Sequence, residues 1–462
     1  MSGDPRCSGD PRHSGDPRHS GDPRHSGDPR HSGDPRHSGD PRHSGDPRHS
    51  GAAGRSGAAG GGARSGRDTP GSGAGSSGRR SATVLAAAGI AAAGIAAGLD
   101  PAGASAAAGQ DWSPFTLVAG LLLVGLVAEH DGLFAAAGHR LARTAGHDAA
   151  LLAWVVLLVA AVTAVLNLDT SVAFLTPVLV YTARRRRTTG LVLVSACLLL
   201  SNAASLLLPG ANLTNLIVLG HDHIVGGRFL TSVAPAWAAA VAITTAVIAV
   251  AGRRERARWS STSHDGEPTT DAGSGAPART THIGAGALAV VAVTVLVLVL
   301  RSPALPVLAV GILVAVLRVR QHRVSVAQAV ATLGPAVLVG LFGIAVALGT
   351  AGRAWDGISR FLGHIDPLAT AAVAAGTSVA VNNLPAASLL AAHSVPHPFA
   401  LLVGLDVGPN LLATGSLSWI LWVRAARQAG GEPSVRTATV LGLLSAPAAM
   451  VAAVAVLGLT GH

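Results

Sequence analysis

Lysine is missing from this chain: all 34 residues counted as Lys or Arg are arginines. Tyrosine occurs once, methionine and cysteine twice each, aromatic residues make up 3% and charged residues 13% of the chain. Cys7 in the N-terminal tail and Cys197 in an apolar run provide neither a disulfide framework nor metal-ligand spacing. There is no Gly-X-Ser-X-Gly, no His-Glu-X-X-His and no aspartate pair in a suitable context, which argues against a membrane-embedded hydrolase. No catalytic residue, metal site or cofactor is expected. The formal charge of +10 would suit a nucleic-acid binder, but the arginines lie between apolar runs, where cytoplasmic ends of membrane helices collect them. Nucleic acid is excluded as a partner on that ground. The lack of lysine beside abundant Ala and Gly fits the codon bias of a GC-rich genome.

What is present is apolar sequence. Hydrophobic residues make up 49% of the chain, and several runs reach the roughly 20 residues needed to cross a hydrocarbon core of about 30 Å. A multi-pass protein of a bacterial cell membrane is expected, with the lipid bilayer as its surroundings. Eight hexapeptides of the form Ser-Gly-Asp-Pro-Arg-His run from Ser2 to His49, the first ending in Cys7. They hold no apolar residue larger than proline and can bury no core, so residues 1–82, with the Gly/Ala/Ser/Arg linker, are expected to be a disordered tail. Weak metal binding by the repeated histidines is the rival reading, and no signal peptide is expected at the terminus.

Arginine-rich loops placed inside thread the rest into a first membrane half (83–251), a cytoplasmic linker (252–282) and a second half (283–462). The first half has spans near Thr83–Leu99 and Phe115–Leu133, the second followed by Arg140 and Arg143. Next comes a run from Ala149 to Tyr181, interrupted at Asn167, Asp169, Thr170 and Ser171 and closed by Arg184 to Arg187. Basic flanks at both ends suit a re-entrant hairpin anchored at the cytoplasmic surface, with two short spans as the alternative. Leu191–Leu219 is broken at Pro209-Gly210, and Phe229–Val250 spans. In the second half, spans near Ile283–Leu300, Pro303–Leu317 and Val324–Leu348 precede an Ile365–Ala392 hairpin containing Asn382, Asn383 and Pro385. Leu402–Trp422 is the most telling stretch, because Asp406, Gly408, Pro409, Asn410, Thr414, Gly415 and Ser416 interrupt it where a plain span would carry Leu and Val. A last span covers Ala438–Leu459. Hairpin, broken helix and span thus occur twice in opposite orientation. This predicts an all-α inverted-repeat membrane protein, two re-entrant hairpins and two broken helices meeting at a midplane site, the plan of secondary transporters.

Several motifs carry a family resemblance over about Thr116 to the C-terminus. Gly404–Trp422, Asn382-Asn383-Leu384-Pro385, Asp169 ahead of Leu175-Thr176-Pro177, and Asn212 with Asn215 resemble the arsenite and antimonite efflux permeases of the ion transporter superfamily. Leu168 stands where that family has Asn, and Asn410 where it often has Lys. The resemblance implies export of arsenite or antimonite in exchange for protons. A citrate, dicarboxylate or sodium/proton transporter of the same superfamily is the alternative. A second copy of the chain and an ATPase stay open as partners.

The expected substrate and ion site comprises Asn167, Asp169, Thr170, Ser171, Asn212, Thr214, Asn215, Asn382, Asn383, Asp406, Thr414, Gly415 and Ser416. Their hydroxyls and amides donate and accept hydrogen bonds, as a neutral trihydroxide requires. Helix N-termini at the breaks would favour an anion instead. Asp169 and Asp406 are candidate proton carriers, or else simple helix caps. Ser201, Asn202 and Ser205 are read as contacts between helices. Glu129, His130 and Asp131 are read as interfacial, and His221, Asp222 and His223 as a solvated outer loop rather than metal ligands.

Overall fold

The computed structural model describes residues 73–137, 148–185, 190–220, 226–262, 284–300 and 302–461. The repeats with Cys7, Arg140, Arg143, Arg186, Arg187, the His221–His223 loop and most of the linker lie outside them.

Helix α1 (Gly73–Leu99) reaches α2 (Pro101–His130) through Asp100. The Asp100 carboxylate caps α2 by accepting from the Gly103 N–H at 2.9 Å, with Pro101 in the first turn. Helices α3 (Asp148–Leu166) and α4 (Leu168–Arg185) fold back on each other at Asn167, whose φ is +104°. Helix α5 (Leu191–Ala204) breaks into two 3-10 turns, Ser205–Leu207 and Pro209–Ala211, before α6 (Leu213–Leu219) and the long α7 (Gly226–Thr262).

The second half begins with α8 (Ala285–Val299), α9 (Ala304–Arg320), α10 (Val326–Leu333), α11 (Pro335–Ala354) and the short α12 (Gly357–Leu362). Its hairpin pairs α13 (Pro367–Val381) with α14 (Asn383–Leu390) about Asn382, φ +78°. Its broken helix is α15 (Pro398–Val407), a 3-10 turn at Gly408–Asn410, and α16 (Ser418–Gln428), followed by α17 (Val435–Leu459). Hairpin, broken helix and long helix therefore recur in order, all of it helical among the described residues. Six of the described helical stretches are long and apolar enough to cross a membrane.

Three boundaries differ from expectation. The helix containing Thr83 already begins at Gly73, inside the segment expected to be tail. Helix α7 continues to Thr262, into the expected linker, because its arginines are good helix formers. The run Val324–Leu348 is two helices rather than one: Gly334 adopts φ +54° and Pro335 starts α11, a left-handed residue followed by a helix-initiating proline.

The halves interlock. Helix α7 packs along α17, α4 against α16, and α6 against α14, so each hairpin's return arm rests on the later part of the other half's broken helix. Helix α2 crosses α9 where Gly120 faces Gly311; a Cβ on Gly120 would sit 2.7 Å from the Leu308 nitrogen, so only glycine allows this approach. Two buried tryptophans pin α16, Trp419 donating to the Pro409 carbonyl at 2.9 Å and Trp422 to that of Val194 at 2.8 Å. The first of these satisfies a carbonyl in the turn that breaks the helix.

Candidate transport site

Both hairpin tips are asparagines in a backbone region that L side chains rarely adopt. Asn167 accepts from the Thr170 N–H at 2.8 Å and Asn382 from that of Leu384 at 3.4 Å, each side chain capping the return helix. The second tip is also tied to its own broken helix, because the Asn383 N–H donates to the Gly415 carbonyl at 2.9 Å.

A cavity of about 930 Å³ lies between the tips. Leu168 and Asp169 of the first tip, Asn382 and Asn383 of the second, and Asn212 and Ser416 beyond the two breaks line its deep end. Helices α4, α14 and α16 all start at this wall, as does the shorter α6. Their positive dipole ends lie at this wall, although the first N–H groups of α14 are already engaged by Gly415 and Asn382. Toward the basic ends of the helices the walls carry Glu129, His130, Gln328, Arg424 and Gln428. The cavity therefore reaches toward the end of α16 that carries Arg424.

Of the residues expected at the site, Asp169, Asn212, Asn382, Asn383 and Ser416 line this cavity. Asp406, Thr214 and Asn215 form a fully buried cluster behind Asn212. There Asp406 Oδ1 accepts from Asn212 Nδ2 and from Thr214 Oγ1, both at 2.8 Å. Asn215 donates to the Ser205 and Leu208 carbonyls freed at the first break, at 2.8 and 3.1 Å. Asn167, Thr170 and Ser171 are buried within the first tip, where Ser171 shares a 3.1 Å hydrogen bond with Ser201. Gly415 supplies the carbonyl that holds Asn383, and Ser416 pairs with Ser418. Thr414 stands apart: it is exposed and donates to the Val379 carbonyl of α13 at 2.7 Å.

Asn202, read from sequence as a contact between helices, donates to Asn410 Oδ1 at 2.8 Å, and Asn410 donates to the Leu199 carbonyl at 3.0 Å. The two broken helices are thereby joined side chain to side chain. Sequence reasoning missed Arg424 and Gln428 as cavity residues and took Glu129 and His130 as interfacial. A signal was available, since Leu417, Leu421, Arg424 and Gln428 recur at helical spacing on one face of α16. A second polar group was missed on α2. Gln110 Nε2 donates to the Ile217 and Ala391 carbonyls at 2.9 and 3.0 Å, and Ser388 donates to Asp111 at 3.2 Å. Gln110 thereby caps α6 and α14 at the ends remote from the cavity.

The chain has no match among curated proteins. Among solved structures it is similar to the YdaH transporter of Alcanivorax borkumensis, with 15% sequence identity, a TM-score of 0.45, and coverage of 76% of this chain and 86% of that one. Residues 76–425 match the family described as citrate transporter. With three quarters of its length inside that match, this chain belongs to the citrate transporter family and is a secondary membrane transporter, not an enzyme.

Proposed function

We propose that the protein carries a small oxygen-rich anion of the citrate or dicarboxylate class across a bacterial cell membrane, by alternating exposure of the space between the hairpin tips. The observation that carries this reading is the convergence of the starts of α4, α14 and α16 on one cavity. Helix N-termini offer a carboxylate a favourable dipole without a fixed cation. Asn212, Asn382, Asn383 and Ser416 add neutral donors and acceptors around the same space.

Arsenite or antimonite export is the second reading. It is favoured by the same four neutral side chains and by the lack of arginine among the described residues of the deep end, where a neutral trihydroxide would find partners for each hydroxyl. In either case Asp169, the acid on the deep wall, is proposed to exchange the coupling proton with the cavity.

The deciding experiment is uptake into proteoliposomes of labelled citrate, succinate and arsenite by the full chain and its Asn383→Ala variant. Carboxylate uptake lost in the variant supports the first reading, and metalloid transport with the same dependence supports the second. Transport of neither would remove both. An Asp169→Asn protein with unchanged rate and unchanged pH profile would discard Asp169 as the proton carrier.

A further inference from the structure

Helices end on carbonyls that their own ladder leaves open. At the ends of α6 and α14 remote from the cavity, one side chain of α2 serves both: Gln110 Nε2 donates to the Ile217 carbonyl of α6 at 2.9 Å and to the Ala391 carbonyl just past α14 at 3.0 Å. The two helices belong to opposite halves and both start at the solute cavity, so a single amide ties their far ends together. They are seven and eight residues long, which puts Gln110 about 10–12 Å behind the cavity wall. Gln110 is itself held from α11, where Arg353 donates to Gln110 Oε1 and, at 2.9 Å, to the Gly349 carbonyl. The next residue of α2, Asp111, accepts from the Ser388 hydroxyl of α14 at 3.2 Å.

Asp111 adds a second, independent observation. It is fully buried, and its other oxygen, Oδ1, has no hydrogen-bond partner. A buried carboxylate oxygen left without a donor is costly. A donor stands nearby: the Arg353 guanidinium is near enough for its charge to act on Asp111, yet its hydrogen bonds go to Gln110 and Gly349. Arg353 therefore has two competing acceptors on neighbouring residues of α2, the Gln110 amide oxygen in use and the Asp111 carboxylate oxygen that is free. Beside it, α11 meets the end of α14 through glycine: a Cβ on Gly352 would lie 2.6 Å from the Leu389 carbonyl oxygen and 2.8 Å from Ala392 Cβ.

We propose that Gln110, Asp111 and Arg353 form a latch on the side of the transport site away from the cavity, with Arg353 as its switch. Paired with Gln110, Arg353 holds the ends of α6 and α14 against α2 and α11; turned onto Asp111, it releases Gln110 and lets those ends part from α11. The cavity opens toward the end of α16 that carries Arg424, so this structure shows the latched state. Alternating exposure requires the far ends of α6 and α14 to part, so the latch sets the population of the state that faces the other way. The inference deepens the proposed function and rests on it only for the latch's part in transport.

The test reads the latch without any solute. Ala392 is buried where α11 passes the end of α14, so in the purified full chain carrying Cys7→Ser, an Ala392→Cys thiol reacts with a water-soluble maleimide only when the latch opens. The same chain without Ala392→Cys gives the background of the buried Cys197. Gln110→Leu, which can bond neither the two carbonyls nor Arg353, should raise the labelling rate about tenfold or more. Arg353→Gln frees Gln110 from α11 and should raise it too, which keeps the test open where Gln110→Leu does not fold. Asp111→Asn removes the charge that competes for Arg353 and should lower the rate about threefold, with no such effect in the Arg353→Gln background. The opposite signs are the signature, because a merely structural role speeds labelling and lowers the unfolding temperature in every variant. Rates that move in the same direction, or that do not move, would overturn the latch. Opposite signs without uptake of any solute would leave the latch standing and remove the functional reading instead.

Discussion

Thr214 and Asp406 are 192 positions apart in sequence, yet the Thr214 hydroxyl donates to the Asp406 carboxylate at 2.8 Å in a fully buried setting. The bond runs from the helix after the first break to the helix before the second, so it holds one repeat against the other. An intramolecular hydrogen bond contributes about 0.5–1.5 kcal/mol. Thr214→Val keeps the shape and removes the donor, so the detergent-purified variant should unfold at a lower temperature than wild type. An unchanged unfolding temperature would show that this bond carries no stability.

The hairpin tips predict an ordered series. Asn167 holds φ +104°, a conformation costly for a β-branched residue. Asn167→Gly accepts the backbone and loses only the cap on Thr170, about 0.3 kcal/mol. Asn167→Val loses the cap and also meets backbone strain of about 1–3 kcal/mol. Unfolding temperatures should fall from wild type to Gly to Val, and equal values for the two variants would rule out strain at this tip.

These tips explain which parts of the fold were legible in sequence. Asn, Asp and Pro inside apolar runs mark interruptions because each disturbs a helix by a local rule, and the repeated order of interruptions revealed the two halves. Gly334-Pro335 obeys the same local rule but passed unnoticed inside a run apolar enough to read as one span. The pairing of Asn202 with Asn410 and of Ser388 with Asp111 was not legible, since such contacts depend on how distant helices cross. Thr414 shows the limit of position alone: it stands between Asn410 and Ser416, yet it turns outward to α13.

Gly442 of α17 predicts an effect at a distance from the cavity. A Cβ at Gly442 would overlap the Asn410 carbonyl oxygen, so α17 is close enough to fix the second break. Gly442→Ala should displace Asn410 and its bonds to Asn202 and Leu199, at an overpacking cost of about 1–3 kcal/mol. Uptake should drop about tenfold or more, because small misplacements of binding groups are expensive. Gly94→Ala is the control: nothing lies within 4 Å of its added Cβ, and uptake should match wild type. Equal uptake by both variants would show that α17 does not position the break.

Arg424 is the single arginine among the described residues lining the cavity, and it sits on the face of α16 that runs from the deep wall to the basic side. It is exposed, so it cannot hold a solute as a buried ion pair would. Its expected contribution is to raise the local concentration of an anion approaching from the arginine-rich side, an effect that salt screens. Arg424→Gln should therefore raise the KM for citrate roughly tenfold at low ionic strength, with little change in maximal rate and a smaller difference at high salt. The same substitution should leave transport of a neutral solute unaffected. Measuring both solutes in both salts separates the two proposed substrates as well: a KM for citrate that is unchanged at low salt would remove Arg424 from the path of the anion.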